Sequence, residues 1–145
     1  MSVAAAEERP NRDRFYVQAD KHAVFQAWGK DDATSAFPSL TDGFIFAAAV
    51  GWANRRRVPL RGGRQHVGFW RQFSPQEHIP LIQALAIAET SDAAVLSDYD
   101  RMLTILEEYA NGGIDIVNGY DRYDQEATVV ALASLVIDIA TKPAP

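Results

Sequence analysis

Residues 42–54 fix the kind of fold this chain can adopt. A helix there would be apolar on nearly every face, through Phe44, Ile45, Phe46, Ala47, Ala48, Ala49, Val50 and Trp52. A helix with no polar face to offer water is buried by other elements. Thr41 or Asp42 is placed to cap it, since either side-chain oxygen can accept from a free N–H of the first turn. Ala47, Ala48 and Gly51 leave a shallow flank that another element can approach closely.

The rest of the sequence supplies the wrapping. Ala23, Val24, Ala27 and Trp28 recur at helical spacing over about 20–29. Ser74-Pro75-Gln76-Glu77 has the form of a capping box with proline at the first helical position, so a helix is predicted over 75–90, with Pro80 tolerated in its first turns. Ser97 or Asp98 caps a further helix over 98–111, whose Tyr99, Met102, Leu103, Leu106, Tyr109 and Ala110 form one stripe. Asn111-Gly112-Gly113 reads as its stop. Ile114 to Val117 is then a β-branched connector. A fifth helix over 123–141 carries too many apolar residues to be solvated, so it is either central or shared with another protomer. Phe15-Tyr16-Val17 reads as a short extended anchor. Val58–Leu60 and Val67–Phe73 are candidate partners in one hairpin about Gly62-Gly63, with Pro59 confining such a strand to an edge. The expected fold class is mainly α, a compact bundle of about five helices with room for one short β-hairpin. The expected organisation is a disordered leader over 1–13, a single helical domain over 14–141 and a flexible tail over 142–145.

Charge is distributed unevenly. The 34 residues from Gly43 to Gln76 contain no Asp or Glu but six arginines: Arg55, Arg56, Arg57, Arg61, Arg64 and Arg71. The remainder carries 8 basic and 19 acidic residues. A basic patch on an acidic body holds a polyanion, docks on an acidic protein surface, or pairs with the chain's own acids. Trp70 and Phe69 lie beside the arginines, a composition that suits nucleic-acid backbones and bases as well as protein-interface hot spots. The candidate binding residues are therefore Arg55, Arg56, Arg57, Arg61, Arg64, Trp70 and Arg71, for DNA or for a protein partner. Gly62-Gly63 beside arginines can also form an anion-binding nest.

Catalytic chemistry finds little support. With no cysteine, disulfides, thiolate chemistry and Cys-ligated metal are excluded. His22, His66 and His78 stand in no metal or triad motif, and no phosphate-loop or nucleophile-elbow pattern is present. No catalytic, cofactor-binding or metal-ligating residue is assigned. Glu107 and Glu108 fall in the last turn of the predicted 98–111 helix, where the dipole disfavours acids by ~0.3–1 kcal/mol. They are candidates for internal ion pairs with the arginine stretch, against the alternative of two solvated acids. An outside reading is a small carboxylate enzyme using Glu89, Glu107 and Glu108. The start of the chain lacks the basic and apolar regions of a signal peptide, and the longest apolar run, Phe44 to Ala53, falls short of the ~20 residues of a membrane helix. A soluble cytoplasmic protein is expected.

Three segments together carry a family resemblance: Asp42-Gly43-Phe44 through Arg57-Val58-Pro59-Leu60, Leu85-Ala86-Ile87-Ala88-Glu89-Thr90, and Leu106-Glu107-Glu108-Tyr109-Ala110-Asn111-Gly112-Gly113-Ile114. Arg14-Phe15-Tyr16-Val17 fits as well. Over roughly residues 14–117 the chain resembles DNA phosphorothioation (Dnd) system-associated protein 4, and the last helix matches in character. The resemblance implies association with prokaryotic loci for sulfur modification of the DNA backbone and for antiviral defence of the restriction-modification kind. It brings no catalytic residue set. Taken together with the arginine stretch, it leads to the expectation of a non-enzymatic accessory protein that contacts nucleic acid through that stretch, or else of an adaptor docking the stretch on a larger modification or restriction subunit.

Overall fold

A computed structural model describes residues 13–29, 35–122 and 124–142. The chain runs through β1 (Arg14–Gln18), a 3-10 turn (Ala19–Lys21), α1 (His22–Trp28), α2 (Leu40–Ala53), β2 (Arg64–Phe69), a second 3-10 turn (Trp70–Gln72), α3 (Ile79–Thr90), a third 3-10 turn (Ala93–Ser97), α4 (Tyr99–Asn118) and α5 (Gln125–Thr141). The architecture is mainly α: five helices and one two-stranded antiparallel sheet among the described residues. Apart from Asp13 and Lys142, the expected leader and tail lie outside these residues.

The centre is the crossing of α2 on α4. Seven residues of α2 are buried, from Gly43 to Gly51, and twelve of α4. Phe15 of β1 packs its ring 4.9 Å from Phe44 and 4.7 Å from Phe73, and Phe25 of α1 lies 5.7 Å from Phe44. This aromatic group ties the sheet and α1 to the helix pair.

Several local expectations give way to tertiary context. The helix over 98–111 does not stop at Asn111-Gly112-Gly113 but continues to Asn118, so Ile114 to Val117 are helical rather than an extended connector. The glycines serve close approach instead. A Cβ on Gly113 would lie 1.7 Å from the Ala47 carbonyl oxygen, and one on Gly51 would lie 2.1 Å from that of Tyr109. The cap of α2 is Ser39 rather than Thr41 or Asp42: its hydroxyl accepts from the Asp42 N–H at 3.1 Å and donates to the Asp42 carboxylate at 2.8 Å. Asp42 keeps a place in the first turn, where the dipole favours it. Ser74 does accept from the N–H groups of Gln76 and Glu77, but it closes a turn, and α3 begins at Ile79. Pro80 has no N–H to donate backwards, so it must sit within the first turn.

The sheet also pairs differently. Arg64–Phe69 takes Arg14–Gln18 as its partner, not Val58–Leu60. Pro59 cannot donate to a ladder. The 58–60 segment lies instead along α4, with the Val58 N–H donating to the Glu108 carbonyl and the Asn111 side-chain amide donating to the carbonyls of Val58 and Pro59. Helix α5 is not central: it buries Thr128, Leu132 and Leu135, while Val129, Val130, Val136 and Ile137 are exposed. No described helix is long and apolar enough to cross a membrane.

Candidate functional site

The arginine stretch divides into two populations. It begins where α2 ends, with the Arg55 N–H donating to the Trp52 carbonyl and the Arg56 N–H to that of Gly51. This double closure needs a left-handed residue, normally glycine, and Arg55 takes the position with φ of 53°. A side chain in that conformation is strained. Arg55→Gly should therefore raise stability by about 0.5–1 kcal/mol, read as a higher urea midpoint, while removing one exposed cation.

Arg56 and Arg57 turn back onto the protein. The Arg56 guanidinium donates to the Gly112 carbonyl at 3.0 Å and to Asp115 at 3.2 Å, where Lys21 joins it at 3.1 Å. Arg57 bridges two helices, reaching Glu108 of α4 at 2.7 Å and Glu89 of α3 at 2.9 Å. Partial burial acts to lower the Arg57 pKa, but hydrogen bonds and charge from Glu108 and Glu89 outweigh it and hold the pKa above its ordinary value.

Glu89 also accepts from the Tyr109 hydroxyl. Burial first, then this bond, pushes the phenol from 10.0 up to about 12. Between those values the folded protein keeps a proton that the unfolded chain has lost. The stability linked to Tyr109 is thus complete below pH 10 and is lost as pH rises through about 12. Denaturation midpoints over that range should fall with pH, and Tyr109→Phe should flatten the fall.

The three acids singled out in the sequence are not gathered into one site. Glu107 is buried and accepts the Tyr16 N–H at 2.8 Å, on a different side of α4 from the Arg57 bridge. Neither Glu107 nor Glu108 lies in a last helical turn, because α4 continues to Asn118. Replacing both with Gln should lower stability by about 1 kcal/mol or more in a urea titration, because a charge-assisted contact to β1 and one to Arg57 are weakened together.

Asp42, Glu77 and His78 offer ligand atoms within 4.8 Å of one another. The His78 ring, however, accepts the Ser74 N–H at Nδ1 (2.9 Å) and donates from Nε2 to Asp42 (2.9 Å). Both ring nitrogens are in use, which makes the group a clamp between α2 and the turn before α3. A cavity of about 320 Å³ between α2 and α3 is lined by apolar side chains, among them Ile45, Ala48, Trp52, Leu81, Leu85 and Leu106. It brings none of the three acids into its lining.

The second population of arginines lies on the two-stranded sheet. Phe15, Val17 and Gly68 are buried on its inner side. Side chains alternate along a strand, and a register shift between Phe15 and Tyr16 leaves Val67 unpaired, so the outer side carries Arg14, Tyr16 and Gln18 of β1 opposite Phe69, His66 and Arg64 of β2. The rings form a continuous row: Tyr16 to His66 at 6.0 Å, and His66 to Phe69 at 4.8 Å. The Phe69 ring meets the guanidinium of Arg71 at 4.4 Å and that of Arg14 at 5.7 Å. At the other end the Arg61 N–H donates to Gln18. Arg14, Arg61, Arg64 and Arg71 are all exposed. Trp70 does not join this row; it packs edge-on against Phe73 and Tyr99 at 5.6 and 5.4 Å. Arg14, Tyr16 and His66 were missed as binding candidates because their neighbours are remote in sequence. The polar–apolar alternation of residues 14–18 was the available signal.

Comparison with known families gives a match to DNA sulphur modification system-associated protein 4 over residues 14–139. The chain belongs to that family. The match reaches beyond residue 117 and takes in most of α5. Among curated proteins and solved structures nothing matches. For this family member, the sulphur-modification association thus comes with a fold in which Arg56 is tied to α4 and Arg57 braces α3 against α4, while Arg14, Arg61, Arg64 and Arg71 face outward around a row of aromatic rings.

Proposed function

We propose that this member of the DNA sulphur modification system-associated protein 4 family is a non-enzymatic, cytoplasmic accessory component that holds a nucleic-acid backbone against the outer side of the β1–β2 sheet. Arg61, Arg64 and Arg71 of the arginine stretch, together with Arg14, contact phosphates, while Arg55 lies near Tyr109 and outside this set. Phe69, His66 and Tyr16 supply an aromatic bed along which a strand can lie. The observation that carries this reading is the placement of Arg14, Phe69, His66, Tyr16 and Arg64 on one side of one sheet. Arg56 and Arg57 act structurally, and Trp70 supports the sheet through Phe73 and Tyr99.

The second reading is an adaptor that docks the same side on an acidic surface of a larger modification or restriction subunit. Its support is the packing of Arg71 against Phe69, an arrangement equally at home in a protein interface.

Anisotropy titrations of single-stranded and duplex oligonucleotides, with and without phosphorothioate linkages, separate the two. The first reading expects low-salt binding that weakens on Arg64→Gln and Arg71→Gln. No retention on any oligonucleotide, together with loss of a co-purifying subunit in the same variants, would replace it with the adaptor.

A further inference from the structure

Helix α5 is apolar on two sides, and the described residues of its own chain cover one of them. Thr128, Leu132 and Leu135 form a buried stripe, with Ile139 partly buried on the same line. A second stripe is offset by about a third of the circumference at 3.6 residues per turn. It comprises Val129, Val130, Ala133, Val136 and Ile137, and its four large side chains are 46–63 % exposed. The remaining arc holds small or polar residues, Ala127, Ser134, Asp138 and Thr141.

The exposed stripe is centred on Ala133 both around the helix and along it. Val130 and Val136 lie three residues to either side of Ala133, and Val129 and Ile137 lie four. Charge follows the same centre: Asp124 stands nine residues before Ala133 and Lys142 nine after it, with Glu126 beside the acidic end. In an antiparallel helix pair, residues equally distant from the crossing point lie level with each other. A stripe with such a centre is complementary to itself, which a two-fold interface requires because the same patch serves on both copies.

We infer that two copies of this chain associate through α5, antiparallel about a two-fold axis at Ala133. Val130 packs against Val136 of the partner subunit and Val129 against Ile137 of the partner subunit. Ala133, small and central, lets the helices approach closely. Asp124 and Glu126 at the acidic end lie near Lys142 of the partner subunit, so charge also favours the antiparallel over the parallel arrangement.

Sedimentation equilibrium of the full chain across a concentration series should give twice the mass of one chain. Val130→Glu with Ile137→Glu, both at exposed positions, should weaken dimerisation at least a hundredfold while leaving the circular dichroism spectrum unchanged. The absence of native cysteine makes the register directly readable. Under mild oxidation Ala133→Cys should form a disulfide-linked dimer, whereas Ser134→Cys should not. Val129→Cys should crosslink with Ile137→Cys in a mixture but not with itself. A one-chain mass at all concentrations, a dimer indifferent to the two glutamates, or self-crosslinking of Val129→Cys in place of Ala133→Cys would each overturn the inference.

Discussion

Replacing Gly113 with alanine is expected to cost about 3 kcal/mol or more of folding stability, the upper end of what overpacking a core usually does. The new Cβ would sit 1.7 Å from the Ala47 carbonyl oxygen and 2.8 Å from its carbonyl carbon. Those atoms are the backbone of the central helix, so no side chain can rotate away to make room. Relief requires moving α2 off α4, and close-packed interiors resist that. Gly51→Ala meets the Tyr109 carbonyl oxygen at 2.1 Å from the other side of the same contact and should have a comparable cost. The two should not add when combined, because either one alone already separates the helices. Gly62→Ala is the control. Nothing lies within 4 Å of its Cβ position, and only its φ of +73° opposes a side chain, so about 1 kcal/mol is expected. Urea denaturation of the three variants checks the order.

The other large effect concerns the arginines. Replacing Arg61, Arg64 and Arg71 together with Gln should weaken nucleic-acid binding roughly a hundredfold at low salt, taking about 1 kcal/mol for each exposed charged contact. Stability should hardly change, because these side chains are exposed, and the contact of Arg71 on the Phe69 ring lies at the surface. Replacing Arg55, Arg56 and Arg57 should do the reverse. It takes Arg57 from Glu89 and Glu108, leaves Asp115 with Lys21 alone and loosens α3 from α4, while Arg14, Arg61, Arg64 and Arg71 all remain. Sequence alone treats the two triplets as one basic stretch.

The helical framework was legible because its signals are local. The apolar run in α2, the stripe in α4 and the spacing in α1 each demand a helix and a neighbour. What was not legible depended on the neighbour's identity. Asn111-Gly112-Gly113 is locally a stop signal, and only the approach of Ala47 and Gly51 explains why the helix runs through it. Glu107 and Glu108 drew notice for the wrong physical reason, a helix end that is not there. Glu108 faces Arg57 because the Val58 N–H bonds the Glu108 carbonyl and lays the arginine segment along α4. The outer side of the sheet was hidden for the same kind of reason: residues 14–18 alternate visibly, but nothing local pairs them with residues 64–69. Trp70, the most conspicuous aromatic of the stretch, turns toward Phe73 and Tyr99, while Phe69 meets the arginines.

If Arg14, Arg61, Arg64 and Arg71 act as one phosphate-binding set, the salt dependence of binding counts that set. Each neutralised phosphate contributes ~0.7 to the slope of log affinity against log salt on a single strand and ~0.9 on duplex. Four contacts predict about −2.8 and about −3.6 for the unaltered protein. The Arg61, Arg64, Arg71 variant should fall to about −0.7 and about −0.9, alike for all sequences, because phosphate contacts carry no base information. A slope near zero for the unaltered protein, or a slope that the triple substitution leaves unchanged, would contradict the account.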